Sequence, residues 1–256
     1  MGIAILCQIP RAVNPWYLEN IGLNIYSAEE LGYFICNNLP LVDDSVVCEG
    51  LAMWVKEELK QPRLSQKLIQ ILNGPYTERD FILTLLKETC YMNSKELTAL
   101  DQQLEELEAK PLAVRLKKKA DTLMAHEKYN RAMKYYQEAL VCGDQGNHGS
   151  QFRGMIYNNL GCVYARLFMM EEACDCFRLA YEDLHTLSVL KSYLFSIFMK
   201  DGENVYRQKL DEFRVDEKSR VKLAEEIAQV QMKDVPENLD EALEDWTKAY
   251  HKNTDL

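Results

Sequence analysis

The sequence predicts an all-α fold built as a series of antiparallel helix hairpins, and three observations lead there. From Met155 to Ala180, apolar and small residues recur at helical spacing on both sides of one short break: Leu160, Gly161 and Tyr164 before it, Ala173, Phe177 and Ala180 after it. Ala120, Leu123, Ala132, Tyr136 and Ala139 repeat that order forty-one residues upstream. Capping residues, prolines and glycines divide most of the remaining chain into segments of helical length.

Taken in order, the chain begins with two alternating stretches. Ile3, Ile5, Cys7 and Ile9 share one side of the first, and Ile21, Leu23 and Ile25 share one side of the second. They predict a short β-hairpin over Ile3–Ile9 and Ile21–Ile25, connected through Pro10, Asn14 and Pro15. Ser27 and Glu30 form a capping-box pair, each side chain able to meet the other's amide. The helix they open turns Leu31, Phe34 and Ile35 inward and ends near Asn37-Asn38. Asp43-Asp44-Ser45 predicts the next start, with Val47, Leu51, Trp54 and Val55 buried. Pro62 suits a first helical position and Asn73-Gly74-Pro75 ends that helix. Thr77 caps a helix with Phe81, Leu85 and Leu86 on its core face. Ser94 begins a Leu/Glu-rich helix whose stripe, Leu97 to Leu107, is too short for a coiled coil and predicts packing on neighbouring helices. Pro111 either kinks that helix into the next or starts the next. A mainly helical region over 1–110 and a repeat region over 111–256 follow from this division.

Within the repeat region, the small residues Gly161 and Ala173, and Ala120 and Ala132, are each twelve positions apart across a break. They predict close crossings in which Gly161 faces Ala173 and Ala120 faces Ala132. Val141–Ser150, a Gly-rich polar run, predicts an enlarged loop between the two copies. Leu194, Phe195 and Phe198 supply a third first helix. Its partner is degenerate: thirty-four residues on from Ala173 and Phe177, where a small and an aromatic residue are expected, stand Arg207 and Asp211, and Val205, Leu210 and Phe213 give the apolar face. Helices near Glu217–Met232 and Leu239–His251 complete the chain, the last with Leu239, Ala242, Leu243, Trp246 and Tyr250 at helical spacing.

The Leu-Gly and Tyr of one helix, followed by Ala, an aromatic and Ala in the next, resemble the tetratricopeptide repeat (TPR), whose period is about 34 residues. The resemblance implies a right-handed α-solenoid in which the N-terminal region is divergent and the last helices act as degenerate caps. It also implies a non-catalytic scaffold or adaptor that binds a protein or peptide in a concave groove lined by first helices. Carried onto this chain, the groove positions are Val114, Lys117, Asp121, Met124 and Ala125, then Met155, Asn158, Cys162, Ala165 and Arg166. Asn159 and Lys117 match residues of the carboxylate-clamp TPRs. Asp121 departs from that clamp, because a carboxylate there repels a peptide terminus, and Val189 and Tyr193 replace its third-repeat cations. The expected ligand segment therefore bears a side-chain carboxylate. Asn159 has two readings, ligand contact or satisfaction of backbone groups between helices.

Composition narrows the function classes. The 47% hydrophobic and 27% charged content is that of an ordinary globular chain. A net charge of −10 argues against nucleic acid, which needs concentrated positive surface. No membrane span and no signal peptide are read in the sequence, and Ile5-Leu6 do not suit a myristoylation signal. Eight scattered cysteines without paired spacing predict reduced thiols in a cytoplasmic protein and no metal site. Gly143, Gly146 and Gly149 lack a following Lys-Ser/Thr, and Asp144 and Asn147 lack the glutamate of a calcium loop. No catalytic residue and no cofactor are assigned. The rival reading is an enzyme or small-ligand sensor with its site between the N-terminal helices and the repeats.

Overall fold

The computed structural model describes residues 10–89, 91–145, 149–231 and 238–254. Among them are thirteen α-helices and one two-stranded antiparallel sheet. The chain forms two compact units, Met1–Pro111 and Leu112–Leu256.

In the first unit the strands are β1 (Trp16–Leu18) and β2 (Leu23–Ile25), with Trp16 opposite Ile25 and Leu18 opposite Leu23. The expected strand Ile3–Ile9 lies outside the described residues, so β2 keeps part of its predicted range but pairs with a segment the alternation did not mark. Leu23 and Ile25 share one side of β2 as expected, but Ile21 lies in the turn before it, and of the pair only Ile25 is buried, together with Leu18.

Helix α1 (Ala28–Asn37) starts at Ser27, whose hydroxyl accepts from the Glu30 amide. Glu30 does not close the expected box. Its carboxylate accepts instead from the Tyr26 amide at 2.6 Å, one residue earlier. The Asp43-Asp44-Ser45 start is also corrected: the Asp43 carboxylate accepts from the Ser45 amide and its carbonyl from Val46 and Val47, closing a single turn. Helix α2 proper is Glu49–Glu57, and Val46 rather than Val47 is buried. Helices α3 (Pro62–Leu72) and α4 (Glu78–Glu88) start at Pro62 and at a Thr77–Asp80 capping box. α5 (Ser94–Glu108) is capped by Asn93 with Glu96 and buries Leu100 and Leu104. α2 packs on α3, α3 on α4 and α4 on α5.

The second unit opens with α6 (Leu112–Ala125) and α7 (Tyr129–Gln145), then α8 (Gly149–Arg166) and α9 (Met170–Leu184). Pro111 thus precedes a helix start instead of kinking a continuous helix. α6 packs on α7 and α8 on α9. Their turns are alike: Glu127 and Phe168 take left-handed φ values of 60° and 59°. The next amides, Lys128 and Met169, donate back to Leu123 and Tyr164 carbonyls, both at 2.9 Å. The expected loop over Val141–Ser150 is mostly helix. Val141–Gln145 extend α7 and Gly149-Ser150 begin α8, so most of the surplus over the TPR period is added helix.

Ala120, Leu123, Ala132, Tyr136, Ala139, Leu160, Ala173, Phe177 and Ala180 are all buried. A Cβ at Gly161 would stand 2.8 Å from Phe177 Cδ1, so the ring of Phe177 fills the space beside this small residue.

Helices α10 (Leu187–Asp201) and α11 (Glu203–Glu212) are separated by Gly202 alone, at φ 81°. This tighter turn moves the pattern one residue earlier. Tyr206 and Leu210 are buried in place of Arg207 and Asp211, alongside Tyr193, Leu194 and Ile197. These residues, with Ala173, Phe177 and Leu223, make a continuous core joining α9, α10, α11 and α12 (Glu217–Gln231). α13 (Leu239–Thr254) leaves Leu243, Trp246 and Tyr250 about half exposed.

Candidate binding face

Three helices meet around one carboxylate. Asp121 on α6 accepts from Lys117 Nζ at 2.8 Å, one helical turn away, through Oδ2. Its Oδ1 accepts from the Tyr136 hydroxyl of α7 at 2.6 Å and from Asn159 Nδ2 of α8 at 2.9 Å. Asn158 Nδ2 donates to Asn159 Oδ1 at 3.3 Å, and the Tyr136 hydroxyl lies 3.8 Å from Met124 Sδ. Lys117, Asp121, Met124, Asn158 and Asn159 are therefore brought together.

The chemistry of this cluster is mutual satisfaction. Tyr136 is fully buried, so its hydroxyl needs a partner. Burial, and then the hydrogen bond to the Asp121 carboxylate, push its pKa up from the usual phenol value. Lys117 is paired, with its side chain 17% exposed against 38% for Asp121. The carboxylate therefore latches α6, α7 and α8 together, and the Lys117 charge is balanced within the chain. Asn159 donates to the Asp121 side chain, where the sequence reading expected a backbone group or a ligand.

The remaining predicted positions lie along the same two helices. Met155 is 40% exposed and Arg166 is exposed, with no ion pair among the described residues. Cys162 is half-buried, and burial raises its thiol pKa against the opposing pull of Arg166. Val189 and Tyr193 do not line a groove: both are buried in the core.

The sequence reading treated Tyr136 only as a packing aromatic. Its signal was present in the comparison of the two copies, where Tyr136 stands at the place of Phe177 and Asp121 at the place of Cys162. A polar pair in one copy replaces an apolar pair in the other.

Among the described residues, no group of three or more His, Cys, Asp and Glu side chains could hold a metal ion, and no helix is long and apolar enough to cross a membrane. The six described cysteines, Cys36, Cys48, Cys142, Cys162, Cys174 and Cys176, are free thiols, and only the last two are buried. Compared with family models, curated proteins and solved structures, the chain matches none.

Proposed function

We propose that this chain is a non-catalytic, cytoplasmic scaffold of TPR-like hairpins, holding a protein or peptide segment on the face shared by α6 and α8. The observation that carries the reading is the Asp121–Asn159 hydrogen bond, which ties the first helices of two successive hairpins side by side. Met124 and Met155 then supply adaptable apolar surface, and Asn158 a polar edge. Arg166 is the cation available to a ligand, so the segment it selects carries a carboxylate. Asp121 lies on the same face and disfavours a chain terminus, which makes that carboxylate a side chain.

The test is to recover the partner by cross-linking and mass spectrometry, then to measure its affinity by calorimetry. Arg166→Glu should weaken binding at least about tenfold, by replacing a charge-assisted hydrogen bond with repulsion, and leave the melting temperature unchanged. An unchanged affinity in the folded variant removes this face from the proposal.

A further inference from the structure

A cleft opens between α10 and α12 in the second unit. Its floor is apolar, made by the buried Leu190, Leu194 and Leu223, with Val215 at one edge. The space is about 230 Å³, below the ~300 Å³ at which pockets for drug-sized ligands begin. Leu187 lines the same cleft yet is 76% exposed. α12 has a light hold on the core: Leu223 is its one buried residue among those described, and Ile227 is partly buried beside it.

The charged groups stand at the rim. Lys191 of α10 and Glu226 of α12 form an ion pair, and the Lys191 ammonium also lies 5.4 Å from the Phe195 ring centroid. Ser219 donates to Asp216 from its hydroxyl at 2.6 Å and from its amide at 3.0 Å. Both of these carboxylates are therefore engaged. Lys222 also lines the cleft, exposed and without an ion pair among the described residues.

We infer that this cleft binds a small amphiphilic carboxylate, its hydrocarbon chain on the leucines and its carboxylate on Lys222. Two features select that chemistry. A polar body laid on a leucine floor loses its water without gaining a hydrogen bond, whereas a hydrocarbon gains by covering Leu187 and the floor. At the rim the Lys191 and Glu226 charges balance each other. Lys222 is then the charge that a ligand meets, and an anion answers it with a charge-assisted hydrogen bond. The volume suits a medium-chain acid. Such a ligand touches both α10 and α12, so its binding stabilises the folded C-terminal helices.

Calorimetry of the full chain with octanoate tests this, with octanol and octylammonium as probes of like length that lack the negative charge. Octanoate should bind at one site and raise the melting temperature. Octanol should bind at least about tenfold more weakly, and octylammonium more weakly still. Lys222→Glu alters an exposed side chain, so circular dichroism should show wild-type helicity and melting temperature without ligand. Its octanoate affinity should fall at least about tenfold, and its preference should turn to octylammonium. Absence of saturable octanoate binding overturns the inference. So does equal binding of the three probes, which marks unspecific adsorption of hydrocarbon. An octanoate affinity that Lys222→Glu leaves unchanged overturns it as well.

Discussion

Asp121 and Tyr136 in the first hairpin occupy the places that Cys162 and Phe177 take in the second, and each pair works only as a pair. A buried phenol needs an acceptor, while a buried phenyl ring needs none. Tyr136→Phe should therefore cost about 1 kcal/mol, the usual net worth of such a hydrogen bond. Asp121→Cys alone should cost more, about 1–3 kcal/mol, because it leaves the hydroxyl buried without its acceptor and Lys117 without its partner. Making both changes should cost less than their sum, and urea unfolding of the three variants measures the coupling. A second carboxylate acts in the N-terminal unit. Glu58 accepts from the Asn14 side chain at 2.8 Å and from the Asn14 and Val13 amides, both at 3.1 Å, while the Asn14 carbonyl accepts from Trp54 Nε1. The Asn14 side-chain bond, followed by its backbone bond, holds the Glu58 pKa below the usual glutamate value. A carboxyl depressed by folding stabilises fully above its unfolded pKa, about 4.3, and loses that contribution as pH falls through the lower folded value. Glu58→Gln should thus lower the melting temperature at about pH 7 and flatten its decline toward about pH 3, as thermal melts across that range would record.

At the scale of the element, the hairpins show how a small residue is used. Gly161 leaves room for the face of Phe177, and a Cβ would meet Cδ1 and Cε1 of the ring at 2.8 Å. Gly161→Leu should overpack this crossing and cost about 1–3 kcal/mol, read as a lower urea midpoint with little change in slope. The third hairpin carries Phe195 at the place of Gly161, partly buried, and Tyr206 at that of Ala173, buried, so large side chains serve where small ones did. Its single-residue Gly202 turn shifts the register by one, which explains why a count of thirty-four landed on Arg207 and Asp211. Helix extension has the same character: α7 and α8, at 17 and 18 residues, absorb most of the long spacing between the first two hairpins.

For the whole molecule, each unit has its own buried apolar set: Leu18, Leu31, Leu51 and Phe81 in the first, Tyr136, Ile156, Phe177 and Leu194 in the second. A segment with its own core and its own hydrogen-bonded helices has what cooperative folding requires. The fragment 112–256 should therefore be helical in isolation and melt in a single cooperative transition by circular dichroism. A broad, non-cooperative loss of ellipticity would show that its core is not self-sufficient.

Helical spacing, caps and breakers determined much of this protein on their own. Pro62 and Thr77 mark helix starts because proline geometry and side-chain acceptors act within one turn of the backbone, whereas Asn93, one residue before the expected Ser94, caps α5. The buried faces of the first two hairpins followed from residue size and spacing alone. Tertiary structure decided what depends on partners distant in sequence. Alternation did not reveal that β2 pairs with Trp16–Leu18, since pairing is a property of two segments. Val141–Gln145 and Gly149-Ser150 of a Gly-rich stretch became part of α7 and α8, where local propensity is a weak preference that helix packing can override. Lys117, Asp121 and Asn159 could be named from the sequence as residues of one face. That they turn toward one another and toward Tyr136 was decided by folding, because the hydrogen bonds join three helices up to thirty-eight residues apart.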